Sequence, residues 1–144
     1  MNRVKEILAD KGHDVLRIEA DASVFEAVKR MVEAGVGSLL VTDEGGKISG
    51  IFTERDYLRR MTLEGRDDKE TAVREVMTSP LIVVTPETDI DECMAVMTDR
   101  RIRHLPVVEA GEIVGLLSIG DVVKFKSKQQ SFEIQYLTDY ITAR

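Results

Sequence analysis

The sequence predicts a mixed α/β protein in which one half-size unit is written twice, and three observations predict it. Ser23-Val-Phe-Glu-Ala-Val-Lys-Arg-Met31 and Asp89-Ile-Asp-Glu-Cys-Met-Ala-Val-Met97 share the apolar positions 24/90, 27/93, 28/94 and 31/97 at a spacing of 66 residues. Each is followed by an apolar segment, a glycine-bearing turn and a second apolar segment, the pattern of a β-hairpin. Each copy then closes on Gly, two apolar residues, a hydroxyl, two variable residues and Asp: Gly50-Ile-Phe-Thr-Glu-Arg-Asp56 and Gly115-Leu-Leu-Ser-Ile-Gly-Asp121. A repeat at fixed period marks a supersecondary unit that needs its copy to bury an apolar face.

The elements follow in chain order. Val4-Lys-Glu-Ile-Leu8 resembles Val73-Arg-Glu-Val-Met77, a short helical lead-in to strands around 15–18 and 81–85. Positions 24, 27, 28, 31 and 90, 93, 94, 97 follow i, i+3, i+4, i+7, the stripe of an amphipathic helix. Ser23 stands three residues before Glu26, and Asp89 three before Glu92, so each helix opens with a capping pair. Ser38-Leu-Leu-Val41 and Ile48-Ser-Gly-Ile-Phe52 form the first hairpin. His104-Leu-Pro-Val107 and Ile113-Val-Gly-Leu-Leu117 form the second, and a helix starts at Thr53 and at Ser118. After its lead-in each unit reads β-α-β-β-α. The polar segment 63–71, with Gly65, reads as the linker. Repeat 1 is thus assigned to 1–68, repeat 2 to 69–125, and a helical tail to 126–144. In the tail Phe132, Tyr136 and Tyr140 share one helical row, which either packs on its own domain or meets a partner.

Bulk properties narrow the function. The 144 residues are 43% apolar and 32% charged, a globular balance. No apolar run approaches the ~18 residues of a membrane span, and the charged N-terminus leads into no secretory core. One cysteine, Cys93, forms no internal disulfide and fits a reducing, cytoplasmic setting; its place on the apolar stripe makes it core. The methionines are core filler. A net charge of −6 opposes non-specific nucleic-acid binding, although Arg100-Arg101-Ile102-Arg103-His104 is a local basic patch. Metal-ligand spacing, a phosphate-loop lysine and a nucleophile beside a base are all missing, which argues against an enzyme.

The repeated motif admits two readings. Thr53 with Asp56, and Ser118 with Asp121, are helix N-caps with an acid in the first turn. Nucleotide binding asks for the same residues. Glycine admits a ligand close to the backbone, a helix N-terminus offers N–H groups to phosphate, and a carboxylate accepts from both ribose hydroxyls.

With both motifs in place, residues 4–125 resemble a CBS-domain pair, or Bateman module. The resemblance implies two tandem repeats packed with pseudo-twofold symmetry and clefts between them, each pairing one repeat's motif with the first strand of the other. It gives Asp56 and Asp121 the ribose hydroxyls, and Thr53 and Ser118 places near ribose and phosphate. The Ser118/Asp121 cleft would take Val15 and Leu16 as its wall, with 11–13 near its mouth. Thr53 and Asp56 would face Thr78, Leu81 and Ile82, while Val36 and Ile102 would touch the base. Arg103 and His104 precede the second motif where Gly37 and Ser38 precede the first, so the second cleft is expected to be the stronger phosphate site.

The expected function is regulatory sensing of an adenosine-bearing nucleotide (AMP, ADP or ATP), without catalysis, in a homodimer that signals to a separate effector. NADH or S-adenosylmethionine as ligand, or a ligand-free interaction scaffold, are the alternatives. His13, in Lys-Gly-His-Asp, reads as an ordinary loop residue.

Overall fold

The computed structural model describes residues 2–79 and 81–129. The order is α1 (Val4–Lys11), β1 (Arg17–Glu19), α2 (Val24–Ala34), β2 (Ser38–Thr42) and β3 (Ile48–Thr53), then a helical turn α3 (Glu54–Asp56) that runs into a π-helical segment (Tyr57–Thr62). A 3₁₀ turn (Val73–Glu75) precedes α4 (Ile90–Arg100), β4 (His104–Glu109), β5 (Glu112–Ser118) and α5 (Ile119–Gln129). The tail residues Phe132, Tyr136 and Tyr140 lie outside the described residues.

Residues Val15–Leu81 form one compact unit, and residues 2–14 with 82–129 form the other. These units cut across the 1–68 and 69–125 boundary read from the sequence, because each lead-in packs with the other copy's helix and hairpin. Val4, Ile7 and Leu8 of α1 join Ile90, Cys93, Met97, Leu105, Val107, Leu117 and Val122 in one buried core. Val73 and Val76 join Ile18, Val24, Ala27, Met31, Leu39, Val41, Phe52 and Met61 in the other. The segment 63–71 is likewise more than a linker. It caps α2, with Val24 N–H donating to Thr71 O at 2.9 Å and Phe25 N–H to Asp68 O at 2.9 Å.

The stripes behave as their spacing predicts: residues 24, 27 and 31, and 90, 93 and 97, are buried. Ser23 Oγ accepts from Glu26 N–H, and Asp89 Oδ1 from Asp91 N–H, which satisfies free donors of each first turn. Both helices end in a left-handed residue, Gly35 (φ 67) and Arg101 (φ 56). The repeat thus keeps a conformation that suits glycine even where the second copy has arginine.

The sheets differ. β1 pairs parallel with β2, and β2 antiparallel with β3. β4 pairs antiparallel with β5, but the strand expected around 81–85 shrinks to one parallel bridge, Val84 to Val107. Prolines account for this. In the first copy Leu40 N–H donates to Leu16 O and Ala20 N–H to Thr42 O, bonds that lengthen the β1 ladder at both ends. The matching residues in the second copy are Pro106 and Pro86, which have no N–H to donate.

Candidate functional site

The two motifs adopt one local design. Ser118 N–H donates to Asp121 Oδ2 at 2.8 Å and Asp121 N–H to Ser118 Oγ at 3.1 Å. Thr53 N–H donates to Asp56 Oδ2 at 2.9 Å and Asp56 N–H to Thr53 Oγ1 at 3.2 Å. Each is a reciprocal cap at a strand-to-helix junction, and it fixes the carboxylate at the head of the following helix. A further bond recurs: Ile119 N–H to Arg103 O at 2.9 Å, and Glu54 N–H to Gly37 O at 3.1 Å. The residue ahead of each hairpin is thereby tied to its motif.

The motif glycines admit a neighbouring lead-in side chain close to the backbone. A Cβ on Gly115 would lie 2.6 Å from Leu8 Cδ2, and one on Gly50 would lie 2.7 Å from Met77 Sδ and 2.8 Å from Thr78 O. The close approach that glycine permits is used for packing.

What faces each carboxylate differs. Asp56 Oδ1 accepts from the Thr78 hydroxyl at 2.8 Å, and Ile51 and Thr78 also exchange backbone hydrogen bonds. At the second motif Lys11 Nζ lies 2.5 Å from Asp121 Oδ2 and 2.6 Å from Leu116 O. The His13 ring donates from Nδ1 to Val114 O at 2.7 Å. Asp121 Oδ1 accepts nothing from the described residues, and the side chain is 22% exposed, so acceptor capacity remains for a ligand hydroxyl.

In the unit of residues 2–14 and 82–129, His104 stands opposite Ser118 on the β4–β5 ladder, and Arg103 is exposed. Ile102 and Ile82 are half-buried against that unit's core. Val15, Leu16, Val36, Thr53, Asp56, Thr78 and Leu81 belong to the 15–81 unit. There Leu16 and Val36 are exposed, Leu16 O accepts from Leu40 N–H, and Val36 N–H donates to Met31 O. The sequence places Lys11 and His13 only near a cleft mouth, with His13 a plain loop residue. Their contacts had no signal in the repeat, because Lys11 aligns with Pro80 and has no counterpart in the other copy.

Cys93, fully buried, has its thiol pushed up to about 11 by burial, with Glu92 and Asp89 adding to the effect. Among the described residues no group of His, Cys, Asp and Glu is arranged to hold a metal ion, and no helix is long and apolar enough to cross a membrane.

Two copies of one strand–helix unit, each ending in a capped Gly-x-x-Ser/Thr-x-x-Asp motif, define a tandem α/β repeat module. The chain belongs to the CBS-domain family: the CBS domain model matches residues 4–63 and 73–128. It is 40% identical, over 96% of its length and 71% of the relative's, to the CBS domain-containing protein CBSX3, mitochondrial, of Arabidopsis thaliana. It spans only 19% of a longer relative from the same plant, CBSCBSPB2, at 39% identity over 72% of this chain. Among solved structures it is similar to a putative signal-transduction protein with CBS domains from Burkholderia ambifaria, at 44% identity and a TM-score of 0.86. That match covers 91% of this chain and 98% of the other. A hexameric CBS-CP12 protein from bloom-forming cyanobacteria shares 28% identity with a TM-score of 0.77, over 99% of this chain and 82% of that one. CBS-domain proteins are regulatory, signal-transduction modules.

Proposed function

We propose that this chain senses an adenosine-bearing nucleotide, of which AMP, ADP and ATP are the first candidates, through Asp121 and Asp56. The observation that supports the reading is the Asp121 carboxylate. Its Oδ2 is fixed by Ser118 N–H while its Oδ1 keeps acceptor capacity, and it sits at the head of the 11-residue helix α5. A carboxylate held in this way suits a pair of ribose hydroxyls, and the helix N-terminus with Arg103 nearby favours an anionic group. Asp56 is the weaker site, since the Thr78 hydroxyl already uses its Oδ1 and Gly37 and Ser38 bring no charge. Ser118 and Thr53 serve first as caps.

The protein acts without chemistry of its own. A ligand with unequal affinity for two poses of the protein shifts their balance, and a separate effector reads the change. Self-association is part of the proposal, supported by the hexameric CBS-CP12 relative; sedimentation velocity on the purified chain tests it.

Calorimetry against AMP, ADP, ATP, NADH and S-adenosylmethionine tests the ligand. A binder at 100 times its Kd adds about 2.7 kcal/mol of stability, which raises Tm by roughly 5–10 °C. Asp121→Ala is expected to weaken binding more than Asp56→Ala. Equal losses would remove the ranking of the two sites. Silence from every adenosine ligand would leave an interaction scaffold, and turnover of a nucleotide would make the chain an enzyme.

A further inference from the structure

We propose that Lys11 is a ligand-binding residue, the cation that makes the Asp121 motif prefer a phosphorylated nucleoside over the bare nucleoside. The inference rests on the nucleotide reading above and goes further by assigning a specificity determinant that comes from outside the motif.

Four observations carry it. Lys11 arrives from the far end of the sequence, yet its ammonium sits on Asp121 Oδ2 and Leu116 O. Its position is fixed rather than that of a loose surface lysine. Leu8, one turn earlier, packs on Gly115, Gly12 turns the chain with φ 100, and His13 bonds to Val114 O. An ammonium has three donors; two are in use, and the side chain is 35% exposed, so the third can reach a ligand oxygen. Finally, the other motif has a neutral hydroxyl, that of Thr78, in the corresponding role.

The charge balance gives the preference its sign. A carboxylate that accepts ribose hydroxyls repels a phosphate close by. Lys11 cancels that charge at Asp121, and Arg103 adds a positive one at the same strand-to-helix junction. Among the described residues no side-chain cation is bonded to Asp56, whose Oδ1 takes the neutral Thr78 hydroxyl, and Glu54 and Arg55 of the same turn bring opposite charges. An anionic ligand therefore discriminates between the two motifs mainly through Lys11, while an uncharged nucleoside does so much less.

The test is calorimetry with AMP and with adenosine on the full chain, comparing wild type, Lys11→Met, Lys11→Gln and Lys11→Arg. Loss of one charge-assisted contact predicts about tenfold weaker AMP binding in Lys11→Met and Lys11→Gln, with adenosine within about twofold of wild type. Lys11→Arg is expected to recover most of the AMP affinity, and added salt to weaken AMP binding more in wild type than in Lys11→Met. Unchanged AMP binding, or equal loss of AMP and adenosine, overturns the proposal and leaves Lys11 a structural clasp. If wild type binds AMP through Asp121 while Lys11→Gln is indifferent, only this inference falls. If wild type binds neither these two compounds nor any other adenosine ligand of the panel, the nucleotide reading falls and takes this inference with it.

Discussion

Leu8 lies so close over Gly115 that a Cβ on the glycine would come within 2.6 Å of Leu8 Cδ2. The three atoms nearest a Cβ on Gly115 belong to the Leu8 side chain, whereas Gly50 faces both Met77 and the backbone oxygen of Thr78. Gly115→Ala should cost roughly 1–3 kcal/mol by overpacking. Pairing it with Leu8→Ala should be less costly than the two single changes added together, since the second removes the clash. Gly50→Ala should gain no such relief from Met77→Ala, because a carbonyl cannot be trimmed away. Urea unfolding of the singles and doubles measures both couplings; equal rescue in the two pairs would contradict the geometry.

Pro106 interrupts a ladder that its counterpart Leu40 completes through Leu16 O. Pro106→Leu restores the missing donor. The new amide at 106 should be protected from hydrogen exchange to the level of the Leu40 amide. An amide that exchanges as fast as a loop residue would show that something other than the missing N–H stops the strand.

Burial holds the Cys93 thiol near 11 rather than its ordinary 9.0. In that window the unfolded chain has lost the proton while the folded chain keeps it. Stability therefore falls as pH rises from 9.0 towards 11, with a slope near 1.4 kcal/mol per pH unit at its steepest. Below that window the thiol contributes no pH dependence. Cys93→Ala should flatten the alkaline limb in thermal melts, and the wild-type thiol should resist alkylation at neutral pH until the protein is unfolded. Prompt labelling of native protein would exclude the buried placement.

Arg66 hydrogen-bonds Glu64 at 2.9 Å and Glu75 at 3.3 Å, and both carboxyls are held below their ordinary 4.5. The Arg66 hydrogen bond is the main cause for Glu64, whereas for Glu75 it is the Ala72 N–H. Arg66→Met should raise Glu64 more than Glu75 in an NMR titration. Because the folded values are depressed, the contribution is present above 4.5 and lost as pH falls through the folded values. A larger rise at Glu75 would reverse the assignment.

The helices, hairpins and both motifs were legible because each rests on local chemistry: an apolar stripe of period 3.6, a capping residue, a glycine turn. Repetition strengthened every one of them. Three features were hidden for physical reasons. The π-helical segment Tyr57–Thr62 has no residue pattern that separates it from an α-helix. The loss of the 81–85 strand depends on Pro106, which lies in a partner strand more than 20 residues later. The exchange of lead-ins depends on long-range fit, Leu8 on Gly115 and Met77 on Gly50, which the internal alignment cannot report since it matches equivalent residues rather than touching ones. Lys11 escaped for the same reason, its acidic partner standing 110 residues away.

That exchange also sets an order of events during synthesis. The 15–81 unit is continuous in sequence, so all of its core has been synthesised before the second hairpin is translated. The other unit needs its opening helix to wait, with Val4, Ile7 and Leu8 still uncovered, until Val122 has been made. Helix α1 thus stays uncovered while the 15–81 unit completes itself, and a chaperone that shields apolar segments would find it exposed.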